Sequence, residues 1–261
     1  MTDDGQGQRK MRLIDNPCGG YRFLTGIAPY SSGVLAAPGY EIVRVTLCAP
    51  LPYRSGFELI ERYLAEQGRP RTALCAVELR APHPWSFEGF AGFNADYQRL
   101  LAEWNLLLGG HNPIARTNVA PQMVAPTQPA LYAFSYSMPS AAPDLPPTFV
   151  IAGAGELPEG VLSAEAIVRG GEVTAAAIEA KATFVMGLMR GRLTGLGAAW
   201  ADVTAVDLYT LHSPEPFLAN VILEVLGPAA IHGIHWHYSS PPIAGLEFEM
   251  DMRGVRRELW I

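Results

Sequence analysis

The sequence predicts an α+β chain of two tandem domains, each a mixed β-sheet with two helices packed on one face. Three observations carry this. First, a stretch recurs: LAEQGRPRTALCAVELRAPH (64–83) aligns without a gap on LTGLGAAWADVTAVDLYTLH (193–212). Leu64, Gly68, Ala76, Val77, Leu79 and His83 fall on Leu193, Gly197, Ala205, Val206, Leu208 and His212 at one constant separation, and Glu78 falls on Asp207. Second, both halves alternate short β-branched runs with segments of helical periodicity, the order of an α+β fold. Third, a proline-rich separator, MPSAAPDLPP (138–147), suits neither a helix nor a central strand. The expected division is a first domain over 1–137, a linker over 138–147 and a second domain over 148–261.

Each element follows from local chemistry. In the first half, YRFLTG (21–26) and YEIVRVTL (40–47) read as strands. SGFELIERYLAEQG places Phe57, Ile60 and Leu64 on one face and stops at Gly68. TALCAVELR (72–80) is a strand. From Ser86 a second helix brings Phe90, Phe93, Tyr97, Leu100, Trp104 and Leu107 to one side at spacings of three and four. ARTNV (115–119) and ALYAFSYS (130–137) close the half as strands. In the second, TFVIAGAG (148–155) and EAIVRG (165–170) are strand-like, and a long helix starts behind a Thr174 cap and runs to Gly197. DVTAVDLYTL (202–211) is a strand. SPEPFLANVILEVLG opens as a helix with Ser213 as cap and Pro214 in the first turn. IHGIHWHY and LEFEMDMR (246–253) are the last strands.

Composition narrows the function. Of 261 residues, 49% are hydrophobic and 17% charged, enough apolar material for a substantial core and too little charge for a disordered chain. A net charge of −6 leaves no basic footprint, so no nucleic acid partner is expected. No apolar run is long enough to span a bilayer, so no membrane partner is expected. The start, MTDDGQGQRK, is polar, reads as frayed and shows no basic-then-apolar leader. Cys18, Cys48 and Cys75 are odd in number and scattered. Cys48 and Cys75 lie in strand-like runs, so buried free thiols in a reducing cytoplasm are expected.

FNADYQRLLAEW followed by NPIARTNVAP resembles the region of the Rid/YjgF family, the RidA-like enamine/imine deaminases, where a VNATY helix precedes a PAR(S/T) strand. VIAGAGELPEG is similar to that family's ITSGQIP strand and turn, and LEFEMDM to its last strand, IEIEAIA. The resemblance covers most of the chain, once in each half. It implies chorismate-mutase-like (YjgF-type) domains, a homotrimer or larger ring, and hydrolysis of a short-lived enamine or imine to a carbonyl compound and ammonia without a cofactor. It implies that Arg116 grips the substrate carboxylate, that Asn94 stands at the helix asparagine, and that Glu247 orients water, with Glu249 as a neighbour. Neither half keeps the whole pattern. LYAFSYS has no acid at the glutamate position, and in the second half Ile231 or His232 stands at the arginine position. A composite cleft is therefore expected, Arg116 of one domain facing Glu247 of another, within or between chains.

The residues also have readings of their own. Arg116 offers a planar fork that pairs with an organic carboxylate, or it is tied to backbone carbonyls or an acid. Glu247 and Glu249, two apart on a strand, share a face that is either solvated or lines a cleft. Glu78 and Asp207 suit structural salt bridges better than catalysis, and His83 and His212 suit loops or caps. His232, His235 and His237 are either metal ligands or a polar, substrate-facing or structural set, and no metal is expected. AGAGELPEG (152–160) is not followed directly by a helix, so a dinucleotide loop is a weak reading. The expected function is hydrolytic deamination of a small carboxylate-bearing enamine or imine, of amino-muconate type. The alternatives are a chorismatase-like lyase or hydrolase and a non-catalytic small-carboxylate binding protein. Against the chorismatase-like reading, no second arginine stands in an equivalent place to grip a second carboxylate.

Overall fold

The computed structural model describes residues 11–142 and 144–261. The start expected to fray, 1–10, lies outside the described residues, as does residue 143 of the separator. The N-terminal strands β1 (Leu13–Asn16), β2 (Tyr21–Leu24) and β3 (Gly33–Ala36) form an antiparallel meander. β4 (Tyr40–Pro52), α1 (Tyr53–Glu66), β5 (Leu74–Arg80), α2 (Phe87–Glu103), β6 (Ala115–Pro121) and β7 (Ala130–Pro139) follow. The second half begins with β8 (Phe149–Gly155) and α3 (Ala175–Leu196), then β9 (Ala205–Thr210). It ends with β10 (His235–His237), β11 (Ser239–Ser240), β12 (Phe248–Gly254) and β13 (Arg257–Trp260).

These strands make two mixed sheets, in the orders β1-β2-β3-β8-β12-β9-β10 and β11-β6-β5-β7-β4-β13. The β5–β6, β9–β10 and β4–β13 pairs are parallel and the others antiparallel. Each half supplies most of its own sheet but exchanges an end with its twin, and β11 of the second half also edges the first sheet beside β6. The N-terminal meander joins the second sheet through β3 and β8, while β13 joins the first through β4. Sheet membership at the termini therefore crosses the division drawn at 138–147. Glu258 of β13 fastens the exchange, reaching Arg44 of β4 at 3.2 Å and Arg253 of β12 at 2.6 Å.

Helices cover the outer face of each sheet. Phe57, Ile60 and Leu64 of α1 pack with Tyr97, Leu100 and Leu101 of α2 over β4, β5 and β7. Each such side chain contributes about 1.5–3 kcal/mol of burial. Ser86 caps α2, its Oγ accepting from the Gly89 N–H. That helix ends at Glu103, and Leu107, expected on its apolar face, is 42% exposed. In the second half α3 buries Ile178, Val185, Met189 and Leu196 on its sheet. Thr174 caps α3 and Gly197 ends it at φ 75°.

Three expectations need correction. EAIVRG is a 3₁₀ turn over Ala164–Ala166 with bends after it, because β3 and β12 already occupy both edges of β8. The helix expected after Ser213 breaks into Glu215–Phe217, a π-helical Leu218–Leu223 and Glu224–Leu226. Pro214 and Pro216 each remove a backbone donor from its first turn. Cys48 is exposed, beside a register shift between Thr46 and Leu51 of β4. Cys75 is buried, and burial pushes its thiol up.

The inner faces of the sheets meet each other through a small apolar patch that includes Phe23, Val34, Ala76 and Ala152, together with a network of charges. Arg44 donates to both oxygens of Glu78, at 2.6 and 2.9 Å. Arg253 pairs with Asp207, and Thr117 of β6 donates to Asp251 of β12 at 2.5 Å. The acids of the repeat thus sit in ion pairs between the layers.

Candidate functional site

The site forms where the open edge of β6 meets β8. β5 flanks β6 on one side. On the other, Ser239–Ser240 pairs with its last residues and a bridge from Ser31 touches Ala115, so the middle of that edge faces a cavity. Successive strand residues alternate in direction. Thr117 therefore points between the sheets to Asp251, while Arg116 and Asn118 line the cavity. The cavity is open to solvent, and Tyr30, Phe90, Leu157 and Ile243 supply its apolar walls.

Arg116 is 3% exposed. Its Nη2 donates to Asn94 Oδ1 at 2.7 Å, so α2 holds the guanidinium from behind. The rings of Tyr30 and Tyr97 each lie 4.9 Å from it, and those of Phe90 and Phe93 lie 5.6 Å away. Burial pulls its pKa below the ordinary arginine value, partly offset by Tyr97, Tyr30 and Glu249. No acid pairs with it among the described residues. Its Nη1 and both polar atoms of the Asn118 amide are buried without a partner. Each such group costs about 1–3 kcal/mol when nothing bonds it, and a ligand's carboxylate oxygens would satisfy the two donors, Arg116 Nη1 and Asn118 Nδ2.

Glu249 of β12 lines the same cavity from the second sheet and is 4% exposed. Burial pushes its pKa well above the usual carboxylate range; Asp251 and Glu156 push the same way, while Arg192 and Arg116 oppose. The neighbouring strand explains how the carboxyl fits. A Cβ on Gly153 of β8 would stand 2.3 Å from Glu249 Oε1, so only a glycine there admits the side chain. The glycines of AGAGELPEG thus make room for an acid rather than a dinucleotide.

The structure therefore brings Arg116, Asn94 and Glu249 together within one chain. Glu247 lies outside the cavity, just before β12, with its carboxylate 2.9 Å from His212 Nε2. Glu249, not Glu247, faces Arg116. His232 ends a 3₁₀ turn, is exposed and does not reach the cavity. Nor does it stand at the arginine position of the second half. Glu78 pairs with Thr117 and its repeat partner Asp207 pairs with His235, so Ile234, one residue earlier, takes the place of Arg116. His235 and His237 both point at Asp207, at 3.2 and 2.9 Å. Burial acts to raise the Asp207 pKa, but hydrogen bonds from both histidines and the Arg253 charge hold it well below its ordinary value. No group of three or more metal-binding side chains occurs among the described residues. His83 sits in the loop before α2, its Nδ1 2.9 Å from the Pro84 carbonyl.

Two charged residues of the cavity were not among those expected from the sequence. Arg192 comes from α3, and Glu159 from the turn after β8. Arg192 is the second arginine that the sequence had not supplied. Its signal was legible: Val185, Met189, Arg192 and Leu196 share the buried face of α3, and a charge in that register needs a reason.

The chain is similar to several known proteins. The family model described as 2-aminomuconate deaminase CnbZ matches residues 13–259. A 2-amino-5-chloromuconate deaminase of Comamonas testosteroni is 37% identical over 247 residues, 92% of this chain and 95% of that protein. A chorismatase crystal structure, 11% identical, covers 96% of this chain and 80% of its own with a TM-score of 0.48. The YjgF gene product of E. coli, 15% identical, covers 42% and 81% with a TM-score of 0.27.

Proposed function

This chain belongs to the 2-aminomuconate deaminase CnbZ family, and we propose on that footing that it hydrolyses the C–N bond of a 2-aminomuconate-type dicarboxylate enamine. The observation that supports this most strongly is the meeting, in one cavity, of unpartnered donors on Arg116 and Asn118 with a buried glutamic acid.

Enamine hydrolysis needs an acid, then a base, then an acid again, and last a base for the hydroxyl proton. Protonation on carbon gives an iminium ion, water adds to the carbon bearing nitrogen, and ammonia leaves as the carbonyl forms. Arg116 Nη1 and the Asn118 amide hold the carboxylate next to that carbon, with Asn94 positioning the guanidinium. Glu249 keeps its proton further toward neutral pH than an ordinary glutamate, so it supplies the first proton. Its carboxylate then takes a proton from the attacking water, returns it to the departing nitrogen, and finally takes the hydroxyl proton of the carbinolamine as ammonia leaves and the carbonyl forms. The carboxyl ends as it began, and enamine plus water becomes carbonyl compound plus ammonia. Because Arg116 and Glu249 already meet within one chain, the composite site arises from the duplication itself.

The same reading extends to the chain's setting. The two duplicated units divide near the separator and exchange their terminal strands. A homotrimer or larger ring and a cytoplasmic location follow from the Rid resemblance and from three free thiols. Among the described residues no helix is long and apolar enough to cross a membrane.

The test is ammonia release from 2-aminomuconate generated in situ. The unaltered protein should release it. Glu249→Gln should lower kcat by about 10²–10⁴-fold with little change in KM, and Arg116→Ala should raise KM as well. An unaltered protein that binds the enamine and releases no ammonia, or a Glu249→Gln variant at full rate, would refute the proposal.

A further inference from the structure

We propose that Arg192 binds the second carboxylate of a dicarboxylate ligand, and that Glu159 occupies this place only while the cavity is empty. The proposal rests on the deaminase reading for the ligand class alone. Its geometry stands on α3 and β8.

Arg192 is anchored in a way that leaves one edge for a ligand. Its Nη1 donates to the carbonyls of Ala152 and Gly153 at 2.8 and 3.2 Å, which holds the guanidinium against β8 whatever lies in front of it. The other edge, Nε and Nη2, is a two-pronged fork. Both Glu159 oxygens sit on it, at 2.6 and 3.1 Å. This is the arrangement in which a guanidinium takes any free carboxylate. The partners differ in freedom. The Arg192 side chain is 4% exposed and enclosed by α3 and β8, whereas Glu159 is 21% exposed on a turn that ends at Gly160, φ +78°. Glu159 can rotate into water; Arg192 cannot follow.

Charge makes the exchange favourable. While Glu249 holds its proton, the charged lining of the cavity is Arg116, Arg192 and Glu159, one positive charge in excess. A muconate-like ligand brings two negative charges. Buried beside Glu159 it would leave one negative charge unmatched, an expensive state away from water. Once Glu159 has turned out, two guanidinium groups meet two carboxylates. One end of the ligand then lies on Arg116 and the other on Arg192, with Glu249 lining the same cavity.

Muconate and sorbate test this directly, since both are six-carbon dienes and differ by one carboxylate. Calorimetric titration of the full chain should show muconate binding at least about 100-fold more tightly than sorbate. In Arg192→Gln that ratio should fall toward one. In Glu159→Gln, a change in an exposed turn, muconate should bind more tightly and the ratio should rise. A ratio that Arg192→Gln leaves intact, or muconate binding weakened by Glu159→Gln, would overturn the proposal. A merely structural Arg192 would weaken both ligands alike and leave the ratio where it was. If the unaltered protein shows the expected ratio yet releases no ammonia from 2-aminomuconate, the deaminase reading fails and the carboxylate assignment stands.

Discussion

Gly153→Ala changes no polar group, yet it should cost most of the activity. The added Cβ would lie 2.3 Å from Glu249 Oε1, and ordinary contact begins near 3.4 Å. The carboxyl must therefore move by about 1 Å, because the backbone of Gly153 is held by the pairing of Ala154 and Ile151 with β12 on either side of it. Thr117 stands in the way of a shift by the strand, with its Cγ2 at 3.1 Å and Oγ1 at 3.2 Å from the same point. A displacement of about 1 Å in a catalytic group lowers turnover about 10²-fold. Overpacking should cost about 1–3 kcal/mol of stability. Arg116 and Asn118 lie on another strand, so ligand affinity should change much less than kcat. Steady-state ammonia release gives kcat and KM, and thermal unfolding gives the stability. A Gly153→Ala protein that keeps kcat within about threefold of the original would refute the reasoning that Glu249 must sit against β8.

Glu249 should also show its burial in stability. Its folded pKa is raised, so its contribution is full below the unfolded value near about 4.3 and is lost as pH rises through the folded value. Glu249→Gln removes that loss, so the variant should unfold at a higher Tm than the original at pH 8–9 and show little advantage at pH 5. A pH-independent difference would contradict this. Asp207 has the opposite sign. Its folded pKa is depressed, so its stabilisation holds above the unfolded value near about 3.9 and is lost as pH falls. Asp207→Asn should destabilise the protein by about 3–5 kcal/mol at pH 7, with the deficit shrinking toward pH 3 in urea unfolding. Thr174→Ala removes the bond from the Ala177 N–H to Thr174 Oγ1, and should cost about 1 kcal/mol, or about 2–4 °C in Tm, with catalysis intact.

Much of the fold was legible because it repeats. The Glu78/Asp207 correspondence holds through packing, since both acids sit in ion pairs between the sheets. What was hidden is long-range choice. The twin sheets offer similar edges, and nothing local in YRFL says that its meander joins the sheet of β8 rather than that of β4. Likewise EAIVRG has the apolar character of a strand but finds no free edge. At the site, spacing gave Glu247 and Glu249 the same face, but only the facing Gly153 decides which carboxyl enters the cavity. Arg116 was legible as an unpaired cation among small residues. Arg192, like Lys181, lies among the apolar residues on the buried face of α3, and spacing alone does not say what a charge there meets.

The central claim is that one ligand spans the two halves, from Arg116 on the first sheet to Glu249 on the second. A crystal structure of the protein with muconate bound tests it most directly. A carboxylate within hydrogen-bond distance of Arg116 Nη1, with its neighbouring diene carbon against the Glu249 carboxyl, is the predicted result. Muconate lodged elsewhere, with this cavity unchanged, would contradict it.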